Sequence, residues 1–206
     1  MNMTHVMNDE ISSLLKEVES AKQRLRDALR RAAPEAVPDL AFQAEDGRTL
    51  RLSGLFEGRH ELILWHKMGR ACAYCTLWAD GIRGYQEHLL SRAAFVLTSA
   101  DEPAVLREFA SSRGWTMPRV SAPVETLKAL RMADPVKGSP WPGISALRRE
   151  TDGRILRTGY SYFGPGDDFC PVWPALDLLQ DGPAGWEPRY SYTPHVTSVG
   201  IERSHD

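Results

Sequence analysis

Two cysteines separated by two residues stand in the stretch GRACAYCTLWADG, which covers residues 69–81. Thiols at this spacing can form a reversible disulfide, supply half of a metal site, or simply pack as small residues within a helix. In a redox pair the thiolate is the attacking species, so its pKa must fall below the usual value of about 8.5. A helix N-terminus lowers that pKa because its partial charge is positive.

The surrounding residues predict a role for each thiol. A helix is expected to begin at Cys72, which makes Cys72 the attacking thiol. Cys75 follows one helical turn later and is placed to resolve a mixed disulfide formed at Cys72. Arg70 and Lys67 lie just upstream, and their charges would stabilise the thiolate if their side chains turned inward. Zinc needs about four ligands, and the sequence has no second CxxC or HxxxH motif. No metal or cofactor is therefore expected.

The elements that must position these thiols are read from hydrophobic spacing. Buried strands are predicted at 61–66 and 93–100, helices at 72–90, 102–112 and 172–180, a short extended piece and helix at 117–132, and a hairpin at 144–160. Parallel strands need crossover helices, and the hairpin adds antiparallel strands at the end of the sheet. This order predicts an α/β protein with a thioredoxin-like fold. It has three layers, α/β/α, and the middle layer is a mixed central sheet. The CxxC pair lies where the first core strand meets its helix.

Segments on both sides flank this core. Residues 9–33 have helical spacing and end at prolines, so an N-terminal helical arm is assigned to 1–34, the thioredoxin-like domain to 35–193 and a tail to 194–206. The arm packs either on its own domain or on a second subunit, and a homodimer through this helix is one expectation. A hairpin with an Asp46-Gly47 turn precedes the core, as in peroxiredoxins. The aromatic segment GWEPRYSYTPHV is expected to cover the domain as irregular structure.

The thioredoxin-like fold suggests roles for three further residues. His66 lies six residues before Cys72, where thioredoxins carry a buried acid that handles protons for the resolving thiol. It either takes that role or is a strand-end histidine with a backbone partner. Ser145 matches the place of the thioredoxin cis-proline that faces the CxxC pair. Cys170 follows a loop that returns to the CxxC edge of the sheet, where it is either a third redox partner or a structural cysteine.

The motif CxxCxxWADG resembles a largely bacterial thioredoxin-like family of unknown function, often labelled predicted dithiol-disulfide oxidoreductases. Its residues are Cys72, Cys75, Trp78, Ala79, Asp80 and Gly81. The segments LILWH, GWTMPRVS, PGISAL, TGYSYFGPG and RYSY also match, so the resemblance covers about residues 35–193. It implies the fold, and disulfide chemistry by analogy. Trp78 is expected to pack in the core or to shield the disulfide, and Asp80 to support the site through hydrogen bonds or to pair with Arg83.

Composition excludes several other classes of function. The 206 residues are 42% hydrophobic and 25% charged, with a formal net charge of −2, so no overall field attracts nucleic acid or an anionic membrane. No apolar run approaches the roughly 20 residues that span a bilayer. The N-terminus lacks the pattern of a signal peptide. A cytoplasmic location is expected, where structural disulfides are rare and a CxxC pair indicates redox chemistry or metal.

Three functions remain open from the sequence. The first is a thiol-disulfide oxidoreductase that acts on an unknown protein or small-molecule disulfide and is recharged by a thiol electron donor. The second is a non-catalytic binding or assembly module, because Ala73 and Tyr74 replace the Gly-Pro of thioredoxin and leave the redox poise open. A thiol peroxidase is less favoured, because Gly69 and Trp65 stand where peroxiredoxins have a hydroxyl residue and a proline.

Overall fold

The computed structural model describes residues 8–192, in which eight strands form one mixed sheet. The strands are β1 (Glu35–Val37), β2 (Ala41–Gln43), β3 (Thr49–Arg51), β4 (Glu61–Lys67), β5 (Ala94–Ser99), β6 (Arg119–Ser121), β7 (Gly143–Arg149) and β8 (Ile155–Tyr162). Their order across the sheet is β1-β8-β7-β4-β5-β6-β2-β3. The central strand β4 pairs in parallel with β5 and antiparallel with β7, so the predicted mixed sheet is confirmed.

Six α-helices accompany the sheet within the described range. They are α1 (Asp9–Arg31), α2 (Ala73–Arg83), α3 (Gln86–Arg92), α4 (Pro103–Arg113), α5 (Val124–Ala129) and α6 (Val172–Asp177), and a short 3₁₀ helix covers Leu52–Phe56. Helix α4 illustrates how the sequence sets the ends. It begins with a proline in its first turn and stops at Gly114, whose φ of 63° is the left-handed conformation that glycine adopts readily.

The two faces of β4 carry separate hydrophobic clusters. Leu62 and Leu64 belong to the cluster covered by α5 and the 3₁₀ helix. Trp65 belongs to the other cluster, which residues of α2, α4 and α6 cover. Helices therefore lie on both faces of the sheet, as the predicted three-layer architecture requires. Side chains alternate between the two faces of a strand, so adjacent residues at the end of β4 point towards different clusters.

Strand β1 was not among the strands predicted from the sequence, where it is a short segment between Pro34 and Pro38. Three residues are too few for a periodic pattern, and the strand forms through its antiparallel pairing with β8. Glu35, at its start, forms an ion pair with the buried Arg157 of that strand. The flanking prolines fit because β1 is the edge strand and leaves one side unpaired.

A correction concerns the helix predicted at 72–90, which is broken into α2 and α3 at Gly84 and Tyr85. Tyr85 has φ −130° and ψ 16°, outside the helical region. Gly81 and Gly84 lie within four residues of this break and lower the helix propensity of the stretch. A Cβ at Gly81 would meet no atom within 4 Å, so this glycine does not serve a close backbone approach.

Helix α1 matches the helix predicted at 9–33. The Asn8 side chain caps it by accepting the N–H of Glu10 at 2.8 Å, and Arg30 and Arg31 lie in its last turn. Residues 1–7 and the predicted tail 194–206 lie outside the described residues, as does residue 193. Among the helices of residues 8–192, none combines the length and the hydrophobicity needed to cross a membrane.

The position of Gly143 in β7 leads to a prediction about the stability of the sheet. A Cβ at this position in β7 would lie 2.4 Å from the carbonyl oxygen of Ser161, a backbone atom of the neighbouring strand β8. Gly143→Ala is expected to lower the free energy of unfolding by about 2 kcal/mol or more, because the two strands must separate. Gly159→Ala is the matched control, since a Cβ there meets nothing within 4 Å. Urea unfolding of both variants tests this, and equal losses would contradict it.

Candidate active site

Four residues link the end of β4 to Cys72, which is the N-cap residue of α2. Cys72 has extended backbone angles, and its Sγ accepts the N–H of Cys75 at 3.0 Å. The hydroxyl of Thr76 donates to the Cys72 carbonyl oxygen at 3.0 Å and strengthens the same turn. A sulfur therefore stands where Ser, Thr, Asp or Asn usually caps a helix. This places it in the positive field of the helix N-terminus.

The two thiols of the pair differ in access. Both are free cysteines; Cys72 is partly exposed, whereas Cys75 is buried, at 1% exposure. The backbone N–H of Met68 donates to Cys75 Sγ at 3.4 Å. Of the two sulfurs, Cys72 is therefore the one that an incoming disulfide can reach, and Cys75 lies directly behind it.

The pKa values of the two thiols move in opposite directions. A hydrogen bond from the Cys75 thiol is the main cause that lowers the pKa of Cys72 to about 6, although burial opposes it. The backbone N–H of Cys75 and the charge of Lys67 lower it further. The same bond between the sulfurs, together with burial, raises the pKa of Cys75. Near neutral pH the pair is therefore one thiolate and one thiol, which is the state needed for attack followed by resolution.

Lys67 is the cationic residue whose charge acts on both thiols. Its side chain is 1% exposed, and its Nζ lies 3.3 Å from Asp101 Oδ2 and 5.1 Å from the centroid of the Phe109 ring. Burial lowers the pKa of Lys67, while Asp101 and the two thiols oppose that shift. The Arg70 side chain is exposed, and it is the Arg70 backbone N–H that joins the site, by donating to Asp101 Oδ1 at 3.0 Å.

Asp101 organises the turn before α2, although the sequence analysis did not identify it. Besides Lys67 and the Arg70 N–H, it accepts the hydroxyl of Ser99 at 2.7 Å. Gly69 passes against this carboxylate: it has φ +143°, and a Cβ there would lie 3.0 Å from Asp101 Oδ1. One signal in the sequence could have found Asp101. It follows β5 by two residues, and the carboxyl ends of parallel strands meet at one edge of the sheet.

His66 lies on the face of the sheet opposite the thiols, which corrects the expectation that it handles protons for Cys75. Leu64 and His66 share one face of β4, whereas Trp65 and Lys67 share the face that α2 covers. The residue of β4 that faces the thiols is therefore not His66 but its neighbour in the sequence. Lys67, five residues before Cys72, occupies that place.

Both ring nitrogens of His66 are occupied on its own face. Nδ1 lies 2.7 Å from Thr98 Oγ1, and Nε2 lies 3.0 Å from Ser145 Oγ. Burial, with a smaller contribution from the charge of Arg157, lowers the pKa of His66 to about 3, so the ring is neutral at physiological pH. Ser145 is thus a buried partner of His66, and the structure does not bring it to the CxxC pair. The other expectation, a strand-end histidine with a backbone partner, agrees with the position of His66 in the strand, but its partners are the side-chain hydroxyl groups of Thr98 and Ser145.

Aromatic rings pack beneath the N-terminal half of α2. Trp78 is 2% exposed, and its ring centroid lies 5.3 Å from that of Phe163 and 6.2 Å from that of Tyr74. Tyr74 also lies 6.2 Å from Trp173 of α6. The indole Nε1 of Trp78 is buried with no hydrogen-bond partner among the described residues. Of its two expected roles, the surroundings of Trp78 match packing in the core.

Asp80 fastens α2 to the end of α4. Its carboxylate forms an ion pair with Arg113 and accepts the indole N–H of Trp115 at 2.8 Å. The expected pairing with Arg83 is wrong, because Arg83 instead donates to the Arg113 carbonyl oxygen at 3.1 Å. The alternative, support through hydrogen bonds, describes the arrangement, although Asp80 acts through Arg113 and Trp115 and makes no contact with a thiol.

The segment around Tyr190 lies over this part of the site. Arg113 donates to the Tyr190 carbonyl oxygen, and the Tyr190 ring lies 6.5 Å from that of Phe109, which in turn covers Lys67. Burial raises the pKa of Tyr190, and the charges of Cys72 and Cys75 add to the shift. The described part of the aromatic segment, through residue 192, is irregular, as predicted. Its approach to the thiols was not predicted, because irregular chain has no periodic signal.

Cys170 lies at the opposite end of α2 from the CxxC pair. It is 4% exposed and lines a cavity of about 630 Å³ together with Tyr85 and Trp173. Burial raises the pKa of Cys170. Tyr85 lies two residues beyond the end of α2, whereas Cys72 caps its start. The structure therefore does not bring Cys170 to the other two cysteines, and its placement favours the structural alternative.

No group of three or more His, Cys, Asp or Glu side chains within residues 8–192 is arranged to hold a metal ion.

Several solved structures share the architecture. Reduced Prx3 from Vibrio vulnificus, in complex with H₂O₂, aligns with a TM-score of 0.51 and 13% identity over 66% of this chain and 90% of that one. Peroxidoxin BcpB from Mycobacterium tuberculosis gives 0.49 and 22% over 60% and 82%. A thiol:disulfide interchange protein of the thioredoxin family from Chlorobium tepidum TLS gives 0.44 and 17% over 63% and 86%. At these identities the likeness concerns the fold alone, and the alignment with Prx3 confirms the predicted thioredoxin-like fold.

The sequence places the chain in a family. No match was found among curated proteins. Residues 7–196 match the family described as "Bacterial protein of unknown function (DUF899)". The match covers most of the chain, including the CxxC pair and the elements that position it. The chain therefore belongs to this bacterial family of unknown function.

Proposed function

We propose that the protein is a thiol-disulfide oxidoreductase in which Cys72 attacks a substrate disulfide and Cys75 resolves the mixed disulfide. The observation that carries this proposal is the contrast between the two thiols. The Cys72 sulfur is partly exposed, caps α2 by accepting the N–H of Cys75 at 3.0 Å and has a lowered pKa, whereas the Cys75 thiol is buried. The buried ammonium of Lys67 adds a positive charge on the same face of the sheet.

The proposed reaction consists of two exchanges. The Cys72 thiolate attacks one substrate sulfur, so that the substrate S–S bond breaks, a Cys72–substrate bond forms and the released thiolate takes a proton from water. Cys75 then loses its proton and attacks Cys72 Sγ, which releases the second substrate thiol. The substrate has gained two electrons, and the protein carries a Cys72–Cys75 disulfide. A thiol electron donor returns the two electrons, and a reducing compartment such as the cytoplasm fits this cycle.

The causes of the two pKa shifts explain the order of these steps. While Cys72 is a thiolate, its hydrogen bond and its charge both raise the pKa of Cys75. Once Cys72 is part of a mixed disulfide, both causes disappear. Burial, the Met68 N–H and the Lys67 charge remain; burial raises the pKa of Cys75, and the other two lower it. The attack at Cys72 therefore prepares Cys75 for the second step.

Cys75→Ser tests the proposal, because it removes the resolving thiol and leaves the attacking one. We expect this variant to accumulate a stable mixed disulfide with a model disulfide such as oxidised glutathione, seen as one added glutathione in intact mass. The wild-type protein should instead release the adduct and form the Cys72–Cys75 disulfide. Cys170→Ser is the control and should behave like the wild type. Adducts on Cys170, or none on Cys72, would contradict the assigned roles.

A second experiment distinguishes this proposal from a thiol peroxidase. Hydrogen peroxide replaces the disulfide, and oxidation of Cys72 is followed by stopped-flow fluorescence. Slow oxidation is expected, because Gly69 offers no hydroxyl and Trp65, buried in the core, offers no proline to shape a peroxide pocket. Peroxide consumption much faster than disulfide exchange would replace the proposal with the peroxidase.

A further inference from the structure

Helix α1 carries an apolar stripe that the other residues of the described range 8–192 leave about half exposed. None of its 23 residues is buried. Six large apolar side chains repeat along one face, each between 46% and 59% exposed: Ile11, Leu14, Leu15, Val18, Leu25 and Leu29. Ala21 and Ala28 complete the spacing of three and four residues that is typical of a paired helix. A helix in water draws most of its stability from covering such a face, so the stripe indicates a partner.

Four charged residues that flank the stripe follow a second pattern. Glu10, Glu17, Arg24 and Arg31 are spaced seven apart, so they lie on one line along the helix. None of the four forms an ion pair with any residue of the described range 8–192. Other charges of α1 are satisfied within the chain, for example Arg26 by Glu19 at 2.5 Å. Along the helix, the first two of these residues are therefore acids and the last two are bases.

We infer that α1 pairs with α1 of a second copy of this chain, antiparallel, with the two apolar stripes face to face. In this orientation the acidic half of each line lies beside the basic half of the other, so Glu17 meets the partner's Arg24 and Glu10 meets the partner's Arg31. A parallel pair would bring like halves together along this line. The small Ala21 lies near the midpoint, where the two helices approach most closely.

The charges of α1 favour a protein partner over a membrane. The helix carries six bases and five acids, interspersed along its polar face, whereas surface-binding helices are rich in bases and contain large aromatic anchors. The pairing is independent of the proposed redox function, since α1 contributes no residue to the thiol site. Its failure would leave the CxxC chemistry untouched.

The first experiment measures the mass of the full chain in solution by light scattering over a range of concentrations. We expect twice the chain mass of 23.1 kDa. Leu25→Glu puts a charge into the stripe of both copies and should raise the dimer dissociation constant about 100-fold or more. Ser13→Glu adds the same charge on the exposed far side of the helix and should leave the dimer unchanged. A wild-type monomer at all concentrations would overturn the inference, and so would a monomer that binds anionic lipid vesicles.

The second experiment tests the orientation. Glu17→Lys and Arg24→Glu, each alone, create two like-charge contacts in an antiparallel pair and should each raise the dissociation constant about tenfold. The double variant restores opposite charges across the interface and should return to the wild-type value. Glu17 and Arg24 form no ion pair within one described chain, so we assign any coupling in the dissociation constant to contacts between copies. Single changes without effect, or a double variant weaker than either, would overturn the antiparallel pairing.

Discussion

Cys72→Ser is expected to slow disulfide reduction by about 1000-fold or more, because a serine hydroxyl is not ionised near neutral pH and cannot form a mixed disulfide. The measurement is turnover of a small aromatic disulfide with excess thiol donor. Thermal unfolding of the variant should stay close to that of the wild type, since Cys72 is partly exposed and a serine can cap α2 equally well.

Cys170→Ser is the control for this change, because the structure places Cys170 at the far end of α2. Its turnover should remain within about twofold of the wild type, as expected for a residue outside the reacting group. Full turnover in Cys72→Ser would show that the CxxC pair is not the reactive site. No turnover by the wild-type protein would instead favour a binding module on a thioredoxin-like scaffold.

Lys67→Met is expected to have the second largest effect, on both stability and reactivity. The change removes the partner of Asp101, a carboxylate whose side chain is only 12% exposed. Breaking a buried pair from one side costs about 3–5 kcal/mol of unfolding free energy, which urea unfolding measures. The lost charge also raises the pKa of Cys72, since Lys67 is one of the groups that lower it. The alkylation rate of Cys72 should therefore rise with pH through a higher midpoint than in the wild type.

A double-mutant cycle separates these two effects. Asp101→Asn alone leaves Lys67 without its partner, while Lys67→Met with Asp101→Asn removes both charges. The double variant should recover much of the stability, because no unpaired buried charge remains. The midpoint for alkylation of Cys72 should stay raised in the double variant, because Lys67 is still absent. Recovery of the wild-type midpoint would contradict a direct effect of Lys67 on the thiolate.

The same contacts explain which parts of the site the sequence could predict. The start of α2 at the CxxC pair follows from a buried strand and the helical spacing after it, which are both local patterns. Local sequence does not determine to which face of the sheet each side chain of β4 points. His66 and Lys67 are adjacent, and the pleat that assigns them to opposite faces is fixed by pairing with β5 and β7.

Residues that come from distant parts of the chain were the hardest to predict. Asp101, Arg113 and Tyr190 reach the site from the end of β5, the end of α4 and an irregular segment. Asp80 stood out within its motif, yet its partners lie 33 and 35 residues away. Likewise, β1 forms only because β8 provides a pairing edge. Tertiary contacts of this kind leave no periodic signal in the sequence.

The central claim is that α2, Cys75 and Lys67 together activate Cys72 as a nucleophile, and a titration of the Cys72 thiolate tests it most directly. The ultraviolet absorbance of the thiolate is followed against pH in the reduced protein, with Cys72→Ser subtracted as background. Deprotonation is favoured as pH rises, so the account predicts an absorbance increase with a midpoint about pH 6 that is absent from Cys72→Ser. A midpoint of about 8.5, the ordinary value for a cysteine, would contradict it.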